Sequence, residues 1–226
     1  RALQTRRPQK RRPVRISQRA QRVEPFYVME LAKAASAMAA QAREGDRPMI
    51  YLNIGEPDFT APPAVMAAAE RAIRAGRSQY TQATGLPALR EAISGWYASR
   101  FGLNIDPSRI VVTAGASAAL QLACLALIEA GDEVLMPDPS YPCNRQFVQA
   151  AEGKAVLIPS GPAERFQLSA AHVEAAWTPV TRGVLLASPS NPTGTSIARD
   201  ELERIARFVR ERGGVTLVDE IYLGLS

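Results

Sequence analysis

From residue 109 onward, short apolar runs alternate with longer amphipathic stretches. The runs are "RIVVTAG" (109–115), "DEVLMPDPSY" (132–141), "KAVLIPS" (154–160), "RGVLLASPS" (182–190) and "VTLVDEIY" (215–222). They lack the period-two alternation of a sheet with one wet face, so they predict strands buried on both sides. Between them lie "ASAALQLACLALIEAG" (116–131), "PCNRQFVQAAEG" (142–153), "LSAAHVEAAW" (168–177) and "SIARDELERIARFVRERGG" (196–214), which predict helices. This rhythm predicts an α/β fold of three layers, α/β/α, around a mostly parallel sheet. Right-handed crossovers place the strand C-termini on one edge, and ligands of open α/β sheets bind along that edge.

The earlier part of the chain reads differently. "PFYVMELAKAASAMAAQAREG" (25–45) predicts a helix with Val28, Leu31, Ala35 and Met38 on one face and Gly45 past its end. "MIYLNIGEPDF" (49–59) predicts a short strand running into a turn. "APPAVMAAAERAIRAG" (61–76) and "LPALREAISGWYASRFG" (86–102) predict two more helices, each entered at a proline and closed by a glycine. No internal repeat is present.

Composition adds bounds. The 226 residues are 46 % apolar and 22 % charged, which fits one large domain or one domain plus a fragment. No apolar run approaches the length of a membrane span, so no transmembrane helix and no membrane partner are expected. Cys124 and Cys143 have no metal-ligand spacing, which points to a reducing, cytoplasmic setting without a metal. The single histidine, His172, reads as a helix-surface residue, so no histidine-centred triad is expected. The net charge of +5 is localised. Nine of the 27 basic residues fall within residues 1–22, which hold no acid; the other 18 face all 22 acidic residues. A basic, core-free segment of this kind is expected to be disordered and dispensable. It has no aromatic before Phe26 to stack on bases, so no nucleic-acid partner is expected.

The chemistry lies just after the strands. Thr113-Ala114-Gly115-Ala116-Ser117 opens a helix, and small residues there let an anion approach free backbone N–H groups. Neither a G-x-G-x-x-G fingerprint nor a Walker Gly-Lys-Ser/Thr is present. Asp138-Pro139-Ser140-Tyr141 places an aromatic at the edge, able to cover a planar ligand or to pack on the next helix. In "LLASPSNPTGTS" (185–196), prolines flank Asn191 closely, as they would to fix an amide or simply to make a tight turn. Asp219 follows an apolar run, where a carboxylate needs a cation or donors, and Tyr222 lies three residues on. Together these parts suit a phosphorylated, aromatic, nitrogen-containing cofactor. Pyridoxal 5'-phosphate has that form, with a ring nitrogen that wants a carboxylate and a phenolic oxygen that wants donors.

The segments "YLNIGEPDF", "SQYTQATGLPALREAI", "VTAGASAAL", "DEVLMPDPSYP", "SPSNPTG" and "VDEIY" resemble, in order and spacing, the motifs of fold-type I pyridoxal-phosphate aminotransferases of class I/II, from about residue 26 to 226. The resemblance implies an aspartate-aminotransferase-like enzyme that moves an amino group between an amino acid and a 2-oxo acid, as a homodimer. It implies residues 1–25 as a basic tail, 26–60 as an N-terminal arm with part of a small domain, and 61–226 as an incomplete large domain that binds the cofactor. It also implies roles. Gly115, Ala116 and Ser117 hold the phosphate. Tyr141 stacks on the ring, Asn191 and Tyr222 bond the phenolic oxygen, and Asp219 pairs with the ring nitrogen. Gly55 and Asn191 lie near the substrate carboxylate, and Tyr80 reaches the phosphate of a partner subunit.

In that family the Schiff-base lysine lies a few tens of residues beyond the Asp-x-x-Tyr motif, and the arginine that clamps the substrate carboxylate lies further on. Here Ser226 is four residues past Tyr222, and Lys10, Lys33 and Lys154 match neither position. The expectation is an N-terminal portion with no turnover of its own. A lyase or synthase on the same fold and a catalytically dead fragment are the alternative readings. The resemblance also implies a cis Asn191–Pro192 bond, with Asp138–Pro139 as a second candidate.

Overall fold

The computed structural model describes residues 14–56 and 59–225. In chain order its helices are α1 (Gln18–Arg22), α2 (Tyr27–Ala39), α3 (Pro63–Arg74), α4 (Pro87–Phe101), α5 (Gly115–Leu127), α6 (Cys143–Ala150), α7 (Ala170–Ala176) and α8 (Arg199–Glu211). Its strands are β1 (Glu133–Asp138), β2 (Lys154–Pro159), β3 (Thr181–Ala187) and β4 (Val215–Asp219). The described residues pack as two compact units, 14–24 with 124–225, and 25–56 with 59–123.

The first unit is the α/β body that the alternation predicts. Its four strands are all parallel, in the order β2-β1-β3-β4. In β1, Val134, Leu135 and Met136 are buried in succession; in β3, Val184, Leu185 and Leu186 are. Neighbours in a strand point to opposite faces, so both faces of the central pair are covered. Leu135, Val184 and Leu186 join Leu168, Val173, Ile205 and Val209 in one core beneath α7 and α8. Trp177 and Phe208 close its rim edge to face at 5.6 Å. The other face lies toward α6, whose Val148 is fully buried, and toward Cys124 and Ile128. α7 begins with reciprocal caps: the Ser169 hydroxyl accepts the His172 N–H, and His172 Nδ1 accepts the Ser169 N–H, both at 3.2 Å. His172 is therefore a capping residue.

Two expected strands do not form. Residues 49–54 and 109–113 belong to no ladder. A run of β-formers becomes a strand only against a neighbour, and the Val112 N–H instead bonds the Thr84 carbonyl at 3.0 Å. The basic segment also departs from expectation. Residues 1–13 lie outside the described residues, but Gln18–Arg22 is a helical turn capped by Ser17. An Arg19–Glu152 ion pair and a Gln146-to-Glu24 carbonyl hydrogen bond dock it beside α6. Polar contacts supply the docking that a core would otherwise provide.

In the second unit, α3 and α4 begin at Pro63 and Pro87, and α4 ends on Gly102 in the left-handed region. None of α2, α3 and α4 fully buries a residue. Leu31 and Met38 of the apolar α2 face are both more than half exposed. Among the described residues no helix is long and apolar enough to cross a membrane.

The contact of β3 with β4 depends on Gly183. A Cβ there would lie 2.1 Å from the Val215 carbonyl oxygen and 2.8 Å from its Cγ1. Gly183→Ala is therefore expected to push β4 off the sheet, at a cost of about 1–3 kcal/mol. Urea unfolding should show a lower midpoint at an unchanged slope; an unaltered midpoint would mean that β4 has slack.

Candidate functional site

The strand order sets the site. With β1, β3 and β4 adjacent and parallel, the loops after them start from one edge. Tyr141 follows β1, Asn191 follows β3, and Asp219 with Tyr222 ends β4. Ala187 and Asp219 are register partners, so the Asn191 loop leaves the sheet directly beside the carboxylate. The structure thus brings Tyr141, Asn191, Asp219 and Tyr222 together at the C-terminal edge of the first unit.

Asp219 is half-buried rather than buried, because β4 is an edge strand here. Its Oδ1 accepts the Ile221 N–H at 3.0 Å, and its carbonyl accepts the Ser188 N–H at 3.1 Å. Its Oδ2 has no hydrogen-bond partner among the described residues. The Tyr141 hydroxyl feels this carboxylate. A hydrogen bond with Cys143, partial burial, and the charges of Cys143 and Asp219 push it up to about 12.

The Asn191 loop is a closed structure. The Ser190 N–H donates to the Thr195 carbonyl, and the Gly194 N–H donates back to the Ser190 carbonyl, both at 2.9 Å. The Ser188 hydroxyl accepts the Ile197 N–H at 3.0 Å. Asn191–Pro192 and Asp138–Pro139 are cis as expected, and Ser188–Pro189, which was not foreseen, is cis as well. The Asn191 side-chain amide makes no hydrogen bond among the described residues, nor does the exposed Tyr222 hydroxyl. A tightly bonded backbone thus carries an unengaged amide.

The other candidates lie in the second unit. Gly115 opens α5 with φ +80°, and Gly115, Ala116 and Ser117 are exposed. An added Cβ on Gly115 would meet nothing within 4 Å, so its surroundings are open. Tyr80 is fully exposed, and Gly55 is exposed. Of the lysines, Lys33 is paired with Glu30 on α2. Lys154 begins β2, at the end of the strand opposite the site, and bonds Glu133 at 2.8 Å. That bond, with one from Thr178, holds the Glu133 carboxyl below its ordinary value. Lys10 lies outside the described residues.

Sequence reasoning missed three residues here. Ser188 ties the loop to β4. Gln167 is buried and bonds the loop from 28 residues away. Asn144 is buried behind Tyr141, whose carbonyl accepts its N–H at 3.0 Å. These contacts are set by tertiary structure and leave no periodicity to read; Ser188 alone lies inside a visible motif.

The model of the family "Aminotransferase class I and II" matches residues 47–226. The valine–pyruvate aminotransferase of Mycobacterium tuberculosis is 41 % identical over 203 residues, covering 90 % of this chain and 51 % of the relative. An aspartate aminotransferase of Rhizobium meliloti is 38 % identical over 204 residues, covering 90 % and 50 %. The structure of a Thermus thermophilus aspartate aminotransferase with maleate superposes with a TM-score of 0.85 at 32 % identity, covering 92 % of this chain and 54 % of that one. The chain spans about half the length of the curated relatives it matches.

The Tyr141 environment makes a spectroscopic prediction. A hydroxyl that ionises more readily in the unfolded chain contributes stability fully present below about pH 10, the ordinary tyrosine value, and lost as pH rises toward about 12. The phenolate signal that Tyr141→Phe removes should appear only near pH 12, and Asp219→Asn should move it down. A Tyr141 that titrates near 10 in the folded chain would contradict the geometry.

Proposed function

Since the chain belongs to the class I and II aminotransferases, we propose that it is part of an enzyme that moves an amino group between an amino acid and a 2-oxo acid with pyridoxal 5'-phosphate. The observation that carries the proposal is the unengaged polar set at one sheet edge: Asp219 Oδ2, the Asn191 amide and the Tyr222 hydroxyl, with Tyr141 beside them. A protonated ring nitrogen needs an acceptor, a phenolic oxygen needs donors, and a flat ring needs an aromatic cover. The set fits that group in kind.

Bound pyridoxal phosphate supplies an electron sink for the substrate Cα. This chain's residues hold and tune it. Asp219 keeps the ring nitrogen protonated, because a close opposite charge raises the pKa of a base. Asn191 and Tyr222 donate to the phenolic oxygen, and Asn191 also meets the substrate carboxylate together with Gly55. Tyr141 covers the ring. Gly115, Ala116 and Ser117 offer the N–H groups of a helix start to the phosphate. Fully exposed Tyr80 serves the phosphate of a second copy in a cytoplasmic homodimer. Residues 26–60 then form an arm with part of a small domain, and 61–226 belong to the large domain.

None of the described lysines stands among the groups that gather at the edge, because Lys154 is at the far end of β2 and Lys33 is held on α2. These 226 residues alone are therefore expected to show no amino transfer above free pyridoxal phosphate. Measured turnover clearly above that background would overturn this expectation.

In protein of the relatives' length, Asp219→Asn keeps size and loses charge. It is expected to slow the amino-transfer half-reaction by about three orders of magnitude, or ~4 kcal/mol, and to weaken cofactor affinity less than tenfold. Asp219→Glu should recover part of the rate. Single-turnover absorbance and equilibrium dialysis separate the two effects. A near wild-type rate for Asp219→Asn would leave Asp219 with only a structural role.

A further inference from the structure

We propose that Gln167 is the positioning residue that fixes the Asn191 loop and so sets where the Asn191 amide stands. The proposal rests on the functional reading above, in which that amide meets the cofactor and substrate. Gln167 is 6 % exposed, and its Nε2 donates to the Thr195 carbonyl at 2.8 Å and to the Ala187 carbonyl at 3.3 Å. Ala187 is the last residue of β3, where the chain leaves the sheet. Thr195 is where the loop returns, and its carbonyl also takes the Ser190 N–H at 2.9 Å. One buried amide therefore bolts together the two legs of the loop that carries Asn191.

Two features set Gln167 apart from a residue that merely fills space. Its Oε1 is buried with no hydrogen-bond partner among the described residues. An unpaired buried carbonyl oxygen is unfavourable, and a leucine or methionine would occupy the volume without that cost. The amide is of use here for its donor end. The backbone leading to it is also unusual. Arg165 (φ 54°) and Phe166 (φ 58°) are consecutive non-glycine residues in the left-handed region, where a bulky side chain is disfavoured. This double reversal immediately precedes Gln167 and Leu168, both buried. The strain is held by the Phe166 N–H bond to the Gly161 carbonyl at 2.9 Å and the Gln167 N–H bond to the Glu164 carbonyl at 3.1 Å.

Asn191 makes no side-chain hydrogen bond among the described residues, so the loop backbone, and not a polar contact of the amide, sets where it stands. The clamp therefore acts on Asn191 without touching it. Removing the Nε2 donor frees the Thr195 leg from β3, and Asn191 then samples several positions.

Hydrogen exchange on the 226-residue chain tests this. Gln167→Met keeps the volume and removes the donor. Amide exchange over residues 188–196 should quicken by on the order of tenfold, while β1 and α8 keep their protection. Gln167→Glu puts a carboxylate oxygen against two carbonyls. It should loosen the loop more at neutral pH and recover in acid, where the protonated carboxyl donates again; a residue with only a packing role would give no such recovery. In protein of the relatives' length, equilibrium dialysis with pyridoxal phosphate should show weaker binding by both variants. The proposal is overturned if the loop exchanges as in wild type, if exchange rises equally throughout the unit, or if a loosened loop leaves binding unchanged. If Gln167→Met does not fold, the pH dependence of Gln167→Glu decides alone. Protein of the relatives' length that fails to bind pyridoxal phosphate, while the variants still loosen the loop, overturns the proposed function and leaves the clamp standing.

Discussion

The burial of β1 and β3 on both faces is the constraint on which the rest of the first unit depends. Strands with side chains packed above and below cannot slip by one residue without turning apolar groups into the wrong layer, since each layer already holds its own set. Leu135 and Val184 are register partners and lie in the same core beneath α7 and α8. That fixes the depth of both strands in the sheet. It also fixes the level at which each chain emerges, and the polar residues stand just past that level. Gly183 extends the register to β4, because the absent side chain lets the Val215 backbone approach. Asp219 then ends level with Ala187, one residue before the loop that carries Asn191. The site is a consequence of strand alignment, and no site residue has to hold the alignment itself.

How much of this could be read from the sequence follows from the range of each interaction. Local signals carried well. Continuous apolar runs gave β1 to β4, and the prolines and glycines marked the ends of α3 and α4. The edge residues could be named because Tyr141 and Asn191 stand a few residues past a strand and Asp219 ends one. What failed needed a partner in space. "RIVVTAG" has the composition of a strand, yet Val112 bonds a loop carbonyl at Thr84, and no ladder forms. The basic segment has too few apolar residues for a core of its own, yet Arg19 finds Glu152 and Gln146 finds the Glu24 carbonyl. Gln167 is the clearest case. Nothing in "RFQLS" distinguishes it from a loop glutamine until the chain returns with Thr195.

The second unit shows the same dependence on partners from the other side. The α2 stripe at Val28, Leu31, Ala35 and Met38 has helical spacing, and the helix forms as expected. Its face nevertheless stays open, with Leu31 and Met38 more than half exposed. Periodicity identifies which face a helix can bury, and says nothing of what covers it. The first unit can answer that question internally, because its strands and helices supply one another's surfaces. The described residues of 25–123 supply no comparable core to α2, α3 or α4.

Electrostatics at the sheet edge follow from where β4 sits. A fully buried carboxylate would need a cation or several donors to remain charged. Asp219 is half-buried and receives a backbone N–H at Oδ1, so it needs less compensation from the protein. Its charge still reaches Tyr141, where it joins the Cys143 hydrogen bond and partial burial in raising the hydroxyl to about 12. The two groups are thereby driven toward opposite roles. The carboxylate serves as an acceptor with one oxygen open, and the phenol stays protonated as a donor and an aromatic surface. The electrostatic character of this edge thus arises from a single carboxylate at the end of the outermost strand.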